Sequence, residues 1–305
     1  MISFRYHIVS IIAVFLALAL GIVVGTTALN GPITTDLRHQ VNDAKKQRDD
    51  LAQQVKQLQG QVSDAGQFAS TYGTQLVAGT LTGKNVLEIV LPGAPSAMQD
   101  GLERQIGAAG GKISGRVTVT SGYLDPSRGS GIISLATGSA HPLGWTAPPT
   151  SDAGKLGGSL LSYVLLGKGQ ATDLSQVLGG FVQLHMIDLG GANVTPATLV
   201  VVLGHGSLAG QQYAGSAELS LVSALAQDKG QVVVAGDAAS ATGSGLLSLV
   251  RGSSTDRNAL STVDNADTPF GQVATILALA GASKGQLGQY GTQNGADALF
   301  PAPAR

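Results

Sequence analysis

Ile8 to Ala28 is apolar apart from Ser10, Thr26 and Thr27, a run of 21 residues. In a helix, at about 1.5 Å per residue, such a run reaches across the ~30 Å hydrocarbon core of a bilayer. Whatever else this chain folds into therefore hangs from a membrane anchor. The run is longer than the ~7 to 15 residues of a signal-peptide core, so a retained span is expected, although Thr26-Thr27-Ala28 would pass as a poor cleavage site. Ala13, Ala17, Gly21 and Gly25 repeat a small residue every four positions. Gly21 and Gly25 form the GxxxG spacing that lets two backbones pack closely in lipid. Ala and Gly are common in membrane helices in any case, and the stripe alone leaves pairing open.

The next stretch bears on the same question. From Leu37 the steps alternate four and three through Val41, Ala44, Arg48, Leu51, Val55, Leu58, Val62, Ala65, Ala69 and Tyr72. Val41, Val55 and Val62 at a, with Leu37, Leu51 and Leu58 at d, favour a parallel two-stranded coil. A parallel homodimer is expected, since two chains leaving one membrane side by side would pair in that direction. Arg48 at an a position costs stability and bears on register. Gly60 and Gly66 each weaken the helix by about 1 kcal/mol relative to Ala. The competing reading is an amphipathic helix folded onto the later domain or onto another protein.

About 210 of the 305 residues remain for a globular part, enough for one sizeable core. A net charge of -1 and sparse aromatics give no phosphate track or stacking platform, so no nucleic-acid partner is expected. Cysteine is absent, which removes disulfides, thiolate metal sites and a cysteine nucleophile. Arg5 precedes the span, whereas Arg38, Lys45, Lys46 and Arg48 follow it. By the positive-inside rule that count alone would place the globular part in the cytoplasm.

Three stretches carry a family resemblance. The opening MISFRYHIVSIIAVFLALALGIVVGTTALNG, the heptad helix after it, and STVDNADTPFGQVATILALAG (Ser261 to Gly281) resemble the actinobacterial family of mycobacterial copper transport protein B. The resemblance implies a single-pass cell-membrane protein, anchored near its N-terminus, with an extracytoplasmic domain that faces the envelope. It also makes copper the ion to consider. On this point the resemblance is preferred to the charge count.

The rest of the chain alternates strands and helices. Gly31-Pro32 should break the helix between anchor and stalk. Strands are expected at Asn85 to Leu91 and Lys112 to Thr120, around a helix opened by a Ser96/Gln99 capping box. Tyr123 to Gly191 reads as a helical insertion with Leu156, Leu160, Val164, Leu174, Val177, Leu178 and Phe181 facing inward. Strands follow at Thr198 to Leu203, Gln231 to Ala235 and Ala259 to Val263, with helices at Ser216 to Gln227 and Gly245 to Val250. Thr268 caps a last, buried helix with Pro269 at its first position. The predicted class is α/β, a Rossmann-like parallel sheet with a helical insertion. The predicted segments are a tail over 1–7, an anchor over 8–29, a coiled coil over 33–72, an α/β domain over 83–291 and a loose tail over 292–305.

Ligands of open parallel sheets bind beyond the carboxyl ends of the strands. Those ends here are Pro92-Gly93, Gly204-His205-Gly206-Ser207, Gly236-Asp237 and Asp264-Asn265, so His205, Asp237 and Asp264 form a candidate cleft. Imidazole with carboxylate suits a metal, or a base with its orienting acid. Gly, Asp and Asn at strand ends also serve turns and helix caps. Gly204-x-Gly206 lacks the third glycine of a dinucleotide fingerprint, and Ser207 beside His205 lacks a nucleophile-elbow pattern, so no enzyme is expected. His185-Met186 is the most copper-like pair, since imidazole and thioether suit copper. The candidate metal set is thus His185, Met186 and His205, drawn from five His and three Met in the chain; FVQLHMIDL around the pair reads equally as core.

Two functions of different class follow. In one, the chain takes part in copper efflux or homeostasis. In the other, it is a non-catalytic dimeric scaffold whose coiled coil recruits envelope or cell-division partners. The resemblance supplies a candidate for the scaffold, because relatives are associated with a small membrane partner and with control of cell-wall hydrolysis.

Overall fold

The computed structural model describes residues 4–138, 141–191, 193–206 and 212–302, with backbone alone for 27–36 and 212. The chain divides into two compact units, 1–64 and 65–305. Helix α1 (Phe4–Val77) supplies all described residues of the first and opens the second. Its Phe4–Thr26 stretch is the one described helix long and apolar enough to cross a membrane, and none of it is buried within the protein. The expected break at Gly31-Pro32 does not occur, and the backbone there stays helical. A proline removes one intrahelical bond and crowds the carbonyl four residues back. Long helical runs on both sides absorb that loss here.

Within the second unit the last turns of α1 pack by a four-residue spacing, with Ala69, Gly73 and Val77 buried. A Cβ on Gly73 would stand 2.7 Å from Val273 Cγ2, so only glycine allows this approach. Ala69, a heptad position in sequence, is thus buried within this unit.

The chain continues through β1 (Asn85–Val90), α2 (Ser96–Ala108) and β2 (Lys112–Val119). The N-cap of α2 is Pro95, without a side-chain cap, and Ser96 already lies inside the helix. The insertion is α3 (Gly129–Thr137), α4 (Ala153–Leu165) and α5 (Ala171–Gln183), closed by a short strand β3 (Ile187–Asp188). Then come β4 (Leu199–Leu203), α6 (Gln212–Gln227), β5 (Gln231–Ala235), α7 (Leu246–Gly252), α8 (Ser254–Arg257), β6 (Ser261–Val263), α9 (Pro269–Ala282) and β7 (Gln289–Tyr290). Thr268 caps α9 through its hydroxyl, with Pro269 at the first position as the sequence predicts.

The seven strands run in the order β3-β2-β1-β4-β5-β6-β7, parallel except for β3. The apolar runs LVVVL and QVVVA fit central strands covered on both faces. Leu199, Val201 and Leu203 face a core with α2 and α9, while Val200 and Val202 face α3 to α7. The six parallel strands, numbered among themselves in chain order, read 2-1-3-4-5-6, the doubly wound order 2-1-3-4-5 extended by one edge strand, not the 3-2-1-4-5-6 of two mononucleotide-binding halves. The order reverses between β1 and β4, which opens a crevice at their carboxyl ends.

The described part of the 292–305 segment makes contacts with the α/β unit. Thr292 N–H and Gln293 N–H donate to the Asp264 carboxylate, Arg257 pairs with Asp297, and Phe270 and Phe300 pack ring against ring. These partners lie on distant segments, which is why composition alone suggested disorder.

On α6, Glu218 is almost fully buried, and desolvation lifts its carboxyl to about 7. A raised acid holds more protons folded than unfolded between roughly pH 4.5 and 7, so stability falls as pH rises through that window. The expected loss between pH 5 and pH 8 is about 1–3 kcal/mol. Urea unfolding should show this loss in the natural chain, and Glu218→Gln should lack most of it.

Candidate functional site

The switch-point crevice is flanked by the Pro92-Gly93 turn after β1 and the Gly204-His205-Gly206 loop after β4. Gly93 has φ +86°, a conformation open to glycine. A Cβ there would lie 3.7 Å from His205 Cδ2, so the imidazole stands directly beside this turn. β5 runs alongside β4 and ends at Ala235, and Gly236 then delivers Asp237 to the same edge. His205 Nδ1 lies 2.9 Å from Asp237 Oδ2. The other oxygen, Oδ1, accepts from Gly206 N–H and Ser240 N–H, each at 2.9 Å. Asp237 thus does both jobs open to a strand-end acid: one oxygen caps the following turn and the other holds the histidine.

This geometry sets the histidine's chemistry. With Nδ1–H donating to the carboxylate, the neutral ring carries its lone pair on Nε2. The ring is partly exposed, 44% of its side chain, so Nε2 can serve as a metal ligand or a base. Asp267 adds a third polar group. Partial desolvation raises its carboxyl above the usual range, Asp237 and Asp264 push the same way, and His205 opposes them. The crevice therefore carries an excess of carboxylate around one imidazole. Ser207 lies outside the described residues.

Asp264 does not join this group as an open ligand. It is fully buried, and Arg251 Nη1 donates to its Oδ2 at 2.8 Å. Thr292 N–H reaches Oδ1 at 2.8 Å and Gln293 N–H reaches Oδ2 at 3.0 Å. Both oxygens are engaged in fastening the C-terminal segment. Gly291, at φ +127°, leaves room for them where any Cβ would collide.

His185 and Met186 part company. His185 ends α5 in a left-handed conformation, φ +53°, with its side chain exposed and its carbonyl accepting from Thr120 Oγ1 at 2.6 Å. Met186 is 1% exposed within the core between the sheet and the insertion helices. Among the described residues no group of three or more His, Cys, Asp or Glu is placed to hold a metal ion.

Sequence reasoning missed two residues. Asp267 sits just before the Thr268 cap and reads as part of that cap; only the three-dimensional adjacency of β5 and β6 brings it toward Asp237. Arg251 reads as an ordinary basic residue at a helix end, and nothing in the spacing ties it to Asp264.

A family described as "Copper transport outer membrane protein, MctB" matches residues 1–301. The chain is 31% identical over 314 residues to the protein named "Copper transporter MctB" of Mycobacterium tuberculosis (strain ATCC 25618 / H37Rv), covering 97% of this chain and 98% of that relative. It is also 31% identical over 321 residues to the "Copper transporter MctB" of Mycobacterium leprae (strain TN), covering 98% of this chain and 99% of that relative.

Proposed function

From the premise that the chain belongs to the MctB family of copper transport proteins, we propose that it is a membrane-anchored envelope protein taking part in copper efflux or homeostasis. The observation that carries this is the extent of the relationship. It starts at residue 1 and ends at residue 301, so the apolar helix and the α/β unit are both part of what is shared. The anchor is a single pass and the α/β unit lies on the extracytoplasmic side, in keeping with the family's outer-membrane description. A conducting path through lipid needs several helices or a closed barrel. One apolar helix and an open sheet covered by helices on both faces supply neither among the described residues, so this chain acts on copper with other copies or other proteins.

Self-association follows from the same helix. Val41, Leu51, Val55, Leu58 and Val62 are 46–71% exposed on the first unit, and Gly21 and Gly25 have open space around them. An apolar stripe in heptad spacing is stable in water only when another helix covers it. A parallel homodimer covers it with the identical stripe, in the register that two side-by-side anchors impose.

The functional reading is tested by growth. A strain lacking the gene is expected to stop growing at a several-fold lower copper concentration than its parent, with tolerance restored by the intact gene and zinc tolerance unchanged. Equal copper tolerance in all three strains would overturn the reading.

A further inference from the structure

Helices α4, α6 and α8 flank a cleft of about 530 Å³, within the ~300–1,000 Å³ range of small-molecule sites. No residue of the β1/β4 crevice lines it. Its walls are rich in hydroxyls, and the hydrogen bonds already made there decide what each group has left to offer. On the α4 wall, Ser159 Oγ accepts from Trp145 Nε1 at 3.2 Å, which leaves its own hydrogen to donate. One turn earlier, Lys155 is exposed and forms no ion pair among the described residues. The other wall has the reverse polarity. Ser223 Oγ, on α6, spends its hydrogen on Asp256 Oδ1 at 2.6 Å, so the Ser223 lone pairs and Asp256 Oδ2 remain to accept. Asp256 is 7% exposed, and no cation pairs with it among the described residues. A buried carboxylate with one hydroxyl partner is costly, and a donor supplied from the cleft would offset that cost. Asp228, at the end of α6, is by contrast already engaged, by Ser162 Oγ at 2.7 Å and by Lys168 Nζ.

We propose that this cleft binds a neutral mono- or disaccharide. Lys155 offsets Asp256 and Lys168 offsets Asp228, so the cleft favours neither a cation nor an anion. Donors and acceptors stand on separate walls, and a ring that carries several hydroxyls can accept from one wall while donating to the other, since each hydroxyl does both. Pro148 and Leu219 add apolar lining for the C–H face of such a ring. Lys155 and Ser159 then donate to sugar oxygens, and Ser223 and Asp256 accept from sugar hydroxyls. This site is independent of the copper reading.

Saturation-transfer difference NMR of the full chain, held in a detergent without a sugar headgroup, tests this with millimolar maltose, cellobiose and di-N-acetylchitobiose. At least one of the three is expected to receive saturation on its ring protons. Lys155→Met and Ser223→Ala should each cut that signal several-fold, while Lys112→Met, at an exposed lysine on β2, leaves it intact. Melting curves show whether each variant folds, and because Lys155 is exposed, its variant decides the matter if Ser223→Ala unfolds. Absence of signal from all three disaccharides overturns the site, and so does a signal that survives Lys155→Met and Ser223→Ala alike. A response to glycylglycine that exceeds the response to every disaccharide would overturn the saccharide class.

Discussion

Arg251→Ala is expected to destabilise the α/β unit by about 3–5 kcal/mol, because it leaves the Asp264 carboxylate buried without its counter-charge. Arg251 is 8% exposed and Asp264 fully buried. The guanidinium does more than neutralise: Nε donates to Thr262 Oγ1 at 2.9 Å, Nη2 to the Tyr290 carbonyl at 2.9 Å, and Nη1 to the Asn294 carbonyl at 3.3 Å as well as to Asp264. One side chain thus joins α7, β6, β7 and the C-terminal segment. Against a typical total of about 5–15 kcal/mol, the loss would leave a domain close to unfolding. Urea denaturation gives the magnitude, and limited proteolysis should find the segment after Gly291 cleaved first. Removing Asp264 as well should recover part of the loss, since the uncompensated charge goes with it. A variant as stable as the natural chain would mean that this network does not hold the tail.

If the proposed parallel homodimer forms, replacing Leu51, Val55 and Leu58 together by Asp is expected to abolish it at micromolar concentration. Each covered apolar side chain at a heptad position contributes about 1.5–3 kcal/mol, and the triple change removes six of them per dimer while setting like charges opposite one another. Gln53→Asp with Gln57→Asp, at solvent-facing positions of the same turns, should leave the dimer intact. Because the chain has no cysteine, Val55→Cys provides a clean report of direction. At an a position of a parallel, in-register pair it meets its own copy and crosslinks on oxidation; in an antiparallel pair it does not. A triple variant that sediments as a dimer would place the contact elsewhere.

Much of this fold was readable before any coordinates. The central strands announced themselves as unbroken Val and Leu runs, the α9 start as Thr268-Pro269, and the inward faces of α4 and α5 by their helical spacing. Each of those signals is local, and each survives because nothing distant opposes it. The failures share the opposite cause. Pro32 should end a helix on its own chemistry, yet long helical runs flank it. Ala69 keeps the heptad rhythm, yet close packing of Gly73 against α9 turns that face toward the domain. The tail after Gly291 looks loose in composition, yet its backbone N–H groups close onto a carboxylate far away in sequence. The cleft was half legible: strand-end logic named His205 and Asp237 for one edge, and their side chains lie 2.9 Å apart there. It also nominated Asp264 for the same edge, because sequence cannot reveal that Arg251 engages that carboxylate from the inside.

In the copper reading the chain lowers the copper burden of the cell. Its most direct test is total cell-associated copper, measured by mass spectrometry in the parent, a strain lacking the gene, and that strain with the gene restored, all grown with modest added copper. Severalfold more copper is expected without the gene, with a return to the parental level on restoration. Equal copper in the three strains would contradict it.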